Sequence, residues 1–314
     1  LHGLPVSTMD VKLAAACKGS VADTTRFFQE MGMKLVSFRH AGKDSFGVVV
    51  NEGVVDLAPY ASEVGSTLKQ ALVRNSLAAI QTITRYAKAT HAWADVEFLP
   101  VVPDPEKILC IGINYLEHLK ETGRETPEKP TIFTRFADSQ TAHKAAIVRP
   151  GASEKLDFEG ELAVVIGRNA RHVKAADALD YVAGYSCYND GSVRDWQRHT
   201  SQLIPGKNFP RTGSFGPWLV TTDEVGDPSL LSLTTRLNGE VVQHATTDDL
   251  IFNIPALIEY ISTFTELRPG DVIITGTTGG VGAYRQPPMW MKPGDEVEVE
   301  ISKIGVLKNT IVDE

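Results

Sequence analysis

The stretch Phe158-Glu-Gly-Glu-Leu-Ala-Val-Val-Ile-Gly167 sets two acidic side chains at the head of an apolar run. Residues two apart on a strand point to the same face, so Glu159 and Glu161 are expected to project side by side. At roughly 6 to 7 Å, two unit charges repel by about 2 to 3 kcal/mol at an effective dielectric of about 20. Residues 162–166 are apolar enough to lie inside a sheet, where water screens that repulsion poorly. Something positive is expected there. Asn189-Asp190-Gly191 brings a third carboxylate, and a hard divalent cation held by Glu159, Glu161 and Asp190 resolves the conflict. An all-oxygen donor set favours magnesium or manganese over zinc.

Outward from this segment, short apolar runs bounded by turn residues predominate. Upstream, 34–39, 46–51 and 54–57 are separated by Gly42-Lys-Asp44 and Glu52-Gly53, the pattern of a small β-meander. Leu68, Ala71, Leu72, Leu77, Ile80, Ile83 and Ala87 then repeat at helical spacing across 66–92. The Pro-rich segment 99–105 reads as a linker. It divides the chain into an N-terminal extension (1–32), a small N-terminal α/β module (33–100) and a larger catalytic domain (101–314). In that domain strands are expected at 107–113, 161–166, 182–188, 216–221, 232–238, 271–275 and 296–301, and helices at 114–121, 176–180, 191–198 and 254–264. Strands outnumber helices without alternating with them, which predicts a β-rich α+β fold and not a doubly wound parallel sheet. The polar, Pro-rich segment 122–130 reads as an exposed loop or a lid.

A helix over 191–198 would put Arg194 and Gln197 on the face of Asp190, at offsets of four and seven. The plainer alternative is a solvated helix with a local ion pair. His118 and Glu121 stand one helical turn apart, and such a dyad can orient and deprotonate a water near neutral pH; a purely structural histidine is the alternative. Lys207, in Pro-Gly-Lys-Asn-Phe, offers a point charge to an anion. The glycine-rich run 275–282 follows an apolar strand and can bring backbone amides up to a carboxylate. It lacks the Gly-Lys-Ser/Thr ending of a P-loop and runs into Arg-Gln-Pro-Pro, which excludes that nucleotide site.

At 314 residues the chain can bury a full core, and its formal net charge of -8 provides no basic stripe for nucleic acid and no polybasic membrane anchor. Cys17, Cys110 and Cys187 form no Cys-x-x-Cys pair, which argues against a disulfide framework or a thiolate metal site and fits a reducing cytoplasm. Leu13-Ala-Ala-Ala-Cys17 has the outline of a lipoprotein cleavage site but lacks the preceding hydrophobic run, so 1–32 reads as an upstream extension.

Taken in order, Gly112-Ile-Asn-Tyr115 with His118 and Glu121, Phe158-Glu-Gly-Glu161, Asn189-Asp190, Arg194 with Gln197, Gly206-Lys207, Gly216-Pro-Trp218 and Thr275-Gly-Thr277 form a specific set. Over roughly residues 105–312 the chain resembles the fumarylacetoacetate hydrolase family, particularly its acylpyruvate hydrolase and isomerase/decarboxylase members. The resemblance implies a distorted β-sandwich or roll with short flanking helices, usually a homodimer, its small N-terminal module helping to pack the dimer. It implies magnesium or manganese on Glu159, Glu161 and Asp190, and water activation by His118 with Glu121. Lys207 and Thr277 would stabilise an oxyanion, while Arg194 and Gln197 contact a small 2-oxo acid. The leading expectation is hydrolysis of a carbon–carbon bond in an acylpyruvate-like dioxo acid through an enolate. Isomerisation or decarboxylation of a 2-oxo diacid is the alternative, and a non-catalytic metal-stabilised binding protein is more remote. Two departures, Thr278 where relatives carry proline and Arg135 where lysine is common, are expected to leave the metal chemistry intact and to bear on the distal end of the substrate.

Overall fold

Antiparallel ladders organise the chain. The computed structural model describes residues 32–314; residues 1–31 of the expected extension, Cys17 among them, lie outside the described residues. The strands are β1 (Lys34–His40), β2 (Lys43–Val50), β3 (Gly53–Asp56), β4 (His91–Ala92), β5 (Glu97–Phe98), β6 (Ile108–Gly112), β7 (Thr131–Arg135), β8 (Gln140–Thr141), β9 (Ile147–Arg149) and β10 (Leu156–Asp157). They continue with β11 (Gly160–Ile166), β12 (Val182–Asn189), β13 (Ser192–Val193), β14 (Gly213–Thr221), β15 (Ser232–Leu237), β16 (Glu240–Thr246), β17 (Val272–Thr277), β18 (Glu296–Ile301) and β19 (Gly305–Asp313). One large sheet runs β4-β3-β2-β1-β14-β12-β11-β17-β6-β7, with β5 on β1 and β8 on β14. A second runs β16-β15-β18-β19-β9. The expected β-rich α+β fold is therefore present. The strands of the N-terminal module extend the large sheet through the β1–β14 ladder.

The apolar run at 162–166 is explained by burial on both faces. Leu162, Val164 and Ile166 face the second sheet and the helix Ile254–Phe264, in a core with Leu233, Val299, Ile301 and Leu257. Ala163 and Val165 face the other way, onto Leu35, Leu68, Leu72 and Ile80 of the N-terminal region. Alternate residues serve alternate cores, so every position of β11 is apolar after Glu161. Hairpins close where backbone chemistry permits. Asn238-Gly239, both at positive φ (52° and 84°), joins β15 to β16 in the way two-residue turns require.

Several expected elements are shorter or differently divided. The helical spacing across 66–92 is carried by short helices, with Ala61–Val64 just ahead of it and then Leu68–Val73 and Leu77–Thr84. Asn75 adopts φ 53° and ends the second of these, a conformation asparagine tolerates better than most residues. The segment 176–180 is a 3-10 turn spanning Ala175–Tyr181. The expected linker is packed, with Val101 and Val102 buried and the Ser37 hydroxyl donating to the Val101 carbonyl at 2.8 Å.

Topology brings the chemistry to one sheet edge. Because β11 and β12 are antiparallel with Gly160 opposite Asn189, the start of one lies beside the end of the other. The register that pairs Glu161 with Thr277 places the end of β17 there too. β6 runs parallel to β17, so it also ends at this edge and leads into the helix Leu116–Thr122. Asn114 holds that junction. Its side-chain amide donates to the carbonyls of Phe252 (3.0 Å) and Thr275 (2.8 Å), and its Oδ1 accepts from the Phe252 amide at 2.8 Å. Asn114→Ala leaves three backbone groups without these partners, and we expect a stability loss of about 2 to 4 kcal/mol in urea unfolding. An unchanged midpoint would show that the clamp is dispensable.

Candidate active site

Glu159, Glu161 and Asp190 converge, with ligand oxygens all within 4.8 Å of one another, and all three side chains are buried. The intervening glycine is dictated by packing: a Cβ at Gly160 would lie 2.0 Å from Thr235 Oγ1 of the second sheet. Glu159 stands just before β11, its amide donating to Asn189 Oδ1 at 2.9 Å, and the Asp190 amide donates to the Glu159 carbonyl at 2.8 Å. These backbone bonds fix the two ligands relative to each other.

Buried cations answer most of this charge, but unevenly. Lys207 Nζ donates to Glu159 at 2.5 Å and to Asp190 at 2.6 Å. Arg194 lies 2.7 Å from Glu159 and donates from Nε to Asp157, also at 2.7 Å, while Arg135 donates to Asp190 at 2.5 Å. Four buried carboxylates thus meet three buried cations. Glu161 is the one left over: among the described residues it has no cationic partner, only the Gly276 amide at 2.5 Å. Gly276 can come this close because it has no side chain. Its φ is 103°, and a Cβ would lie 2.7 Å from Asn114 Cβ. Burial, then the charges of Asp190 and Glu159, push the Glu161 pKa well above the usual carboxylate range. Burial alone would also raise Glu159, but Arg194 and Lys207 hold it down at about 2. Three converging oxygen donors, one of them without a balancing charge, fit a hard divalent cation.

Across the cavity, His118 Nδ1 lies 3.0 Å from Glu121 Oε2, and the other oxygen of Glu121 accepts from the Gly280 amide at 3.0 Å. Glu121 thereby fixes the ring, with Nδ1–H toward the carboxylate and Nε2 available for proton transfer. Tyr284 closes on the imidazole edge-on, with centroids 6.0 Å apart. Both groups line one cavity of about 130 Å³ with Ile113, Glu159, Glu161, Arg194 and Lys207. Ile113, at the strand-to-helix turn, has φ 54°, an uncommon state for a β-branched residue and a mark of local strain beside the site.

The expected residues are brought together, though not all in the expected way. Asp190 is not on a helix with Arg194; the helix is only Arg194–Gln197, because Ser192–Val193 pairs with β10 first. Gln197 reaches the site through Arg194, which donates to its Oε1 at 3.0 Å. Lys207 is engaged by the ligands themselves. The Thr277 hydroxyl donates to the Gly160 carbonyl at 3.0 Å and accepts from Gln243 at 2.8 Å, so its hydrogen is already committed. Arg135 supports Asp190 and so acts on the acidic cluster, not on the distal end of the substrate. Asp157 was not foreseen. It accepts from Arg194 and from the amides of Gly282 (2.8 Å) and Ala283 (2.9 Å), tying the glycine-rich loop to the site. The acids at 157, 159 and 161 form an alternate-residue series, the signal that could have revealed it.

An acidic cluster with a facing His–Glu dyad on this mixed β scaffold defines an enzyme of the fumarylacetoacetate hydrolase type. Residues 107–312 match the model of the fumarylacetoacetate (FAA) hydrolase C-terminal domain, and the chain belongs to that family. It is similar to the human protein named oxaloacetate tautomerase FAHD2B, mitochondrial, at 40% identity over 290 residues, covering 89% of this chain and 92% of the relative. The crystal structure of a putative HpcE protein from Mycobacterium smegmatis superposes with TM-score 0.79 at 35% identity, covering 90% of this chain and 99% of that one. Maleylpyruvate hydrolase from Sphingobium sp. SYK-6, solved with manganese(II) and pyruvate, superposes with TM-score 0.74 at 27% identity, covering 90% and 99%.

The pKa of Glu161 sets a pH dependence. A carboxyl whose folded pKa is raised keeps a proton that the unfolded chain loses, so its contribution to stability declines as pH rises above about 4.3. A bound cation reverses this by stabilising the ionised form. Magnesium should therefore raise the melting temperature more at pH 8 than at about pH 5.5, and Glu161→Gln should abolish that pH-dependent increment. A magnesium shift that is independent of pH in both proteins would refute the assignment.

Proposed function

We propose that this protein catalyses enolate chemistry on a small 2-oxo diacid, with keto–enol tautomerisation of oxaloacetate as its reaction. The observation that carries this reading is that Glu159 and Glu161 of the acidic cluster and His118 of the dyad line the same cavity. Whole-length similarity to proteins named oxaloacetate tautomerase supports the substrate. Magnesium or manganese, when bound by Glu159, Glu161 and Asp190, supplies positive charge where an enolate's negative charge develops. His118 Nε2 exchanges a proton with the carbon beside the keto group, and Glu121 stabilises the imidazolium so formed. Arg194, held by Asp157, and Lys207 keep Glu159 ionised, and Lys207 also orients Asp190.

Hydrolysis of an acylpyruvate is the second reading, favoured by the same dyad, which can activate water as readily as it abstracts a carbon-bound proton. The likeness to maleylpyruvate hydrolase supports it. The two readings separate by product. We expect magnesium-dependent acceleration of the enol-to-keto conversion of oxaloacetate, followed by ultraviolet absorbance, and no pyruvate release from acetylpyruvate or maleylpyruvate. Pyruvate release without accelerated tautomerisation would overturn the assignment in favour of hydrolysis.

A reducing compartment belongs to this reading, supported by the free, buried Cys110 and Cys187. The names of the relatives favour mitochondria over the cytoplasm. Among the described residues no helix is long and apolar enough to cross a membrane.

His118→Ala should lower turnover by about 10²- to 10⁴-fold while leaving the magnesium-induced rise in melting temperature in place. Loss of both would show that the histidine supports the cation site and not proton transfer.

A further inference from the structure

Four cationic side chains line the cavity: Arg124, Arg194, Arg198 and Lys207. Two of them are committed. Arg194 is held by Asp157, Glu159 and Gln197, and Lys207 by Glu159 and Asp190. Arg124 and Arg198 differ. Both are exposed, and among the described residues neither guanidinium has a hydrogen-bonding or ionic partner. They reach the cavity from separate elements. Arg124 follows the helix Leu116–Thr122 just beyond Gly123, which turns the chain at φ 65°, and Arg198 caps the helix Arg194–Gln197.

A 2-oxo diacid placed with its keto acid end at the acidic cluster has a second carboxylate to satisfy, and the interior cations are already occupied. We infer that Arg124 and Arg198 together bind that remote carboxylate and so select dicarboxylic over monocarboxylic 2-oxo acids. The inference rests on the 2-oxo acid reading of the cavity given above. A carboxylate bridging the two arginines links the segment after the His118 helix to the helix that carries Arg194. Each guanidinium can present two parallel N–H donors to one carboxylate, a geometry lysine cannot match.

The test uses binding, not turnover. Pyruvate and 2-oxoglutarate share the keto acid end, and only the second carries a remote carboxylate. Calorimetric titration of the magnesium-loaded protein at low ionic strength should show tighter binding of 2-oxoglutarate. Arg124→Gln and Arg198→Gln should each weaken 2-oxoglutarate about tenfold and leave pyruvate within about twofold. Lys155 supplies the control. It is an exposed lysine lining a neighbouring cavity with Arg198 and Trp290, outside the main cavity wall, and Lys155→Gln should change neither affinity. Equal losses for both probes, no loss in either arginine variant, or an equal effect of Lys155→Gln would overturn the inference. Pyruvate binding to the wild-type protein with no preference for 2-oxoglutarate would overturn it alone. Failure of both probes to bind would overturn it together with the 2-oxo acid reading.

Discussion

Glu161 is buried beside Glu159 and Asp190 and is held by a backbone amide instead of a cation. A carboxylate so placed is costly when ionised, and much of the surrounding structure is arranged around that cost. Arg194, Lys207 and Arg135 neutralise the other two ligands, which confines the imbalance to a single group. Gly160 lets the second sheet approach closely behind the cluster, and Gly276 lets β17 offer its amide. The net charge that remains is negative and local, and it suits a small, doubly charged ion better than another side chain. A fourth buried arginine or lysine would fill the cavity it neutralised, whereas an ion leaves room for a substrate.

Antiparallel pairing explains why residues far apart in the chain meet here. The start of β11, the end of β12 and the end of β17 share one edge because of two ladders and their registers. The parallel β6–β17 pair brings the His118 helix to the same edge. A slip of one residue between β11 and β12 would turn Glu161 into one of the cores and expose an apolar residue in its place. The cost of burying Glu161 in an apolar core and the close approach of Gly160 to Thr235 Oγ1 oppose that slip. The acidic pair and its intervening glycine therefore fix the register that the apolar run, buried on both faces, leaves open.

What could be read from the chain follows from this division. The acidic pair Glu159 and Glu161 was legible because alternate spacing and an adjacent apolar run are local properties of one strand. The dyad was legible because His118 and Glu121 lie within one turn of one helix. The cations that balance the ligands were harder to see. Arg135 and Lys207 come from β7 and from the short helix Ile204–Lys207, and their meeting at Asp190 depends on tertiary packing that no periodicity encodes. Arg194 was foreseen through a helix that does not extend back to Asp190, so its residue was right and its geometry was not. The helical spacing across 66–92 was legible, but not its division at Asn75, where one left-handed residue separates two short helices.

The same economy explains why the family supports several reactions. An enolate is common to tautomerisation, decarboxylation and carbon–carbon cleavage, and the acidic cluster addresses only that shared species. On the proposed reading, the choice among them falls to whatever stands between His118 Nε2 and the substrate: a carbon-bound proton would lead to tautomerisation, an ordered water to hydrolysis. Tyr284 packs edge-on against the imidazole, and the loop that carries it is tied down by Asp157 and by the Glu121–Gly280 hydrogen bond. That loop therefore answers to both halves of the site. Ala283 and Tyr284 of that loop line the cavity beside His118, so the placement of the loop bears on what reaches the imidazole.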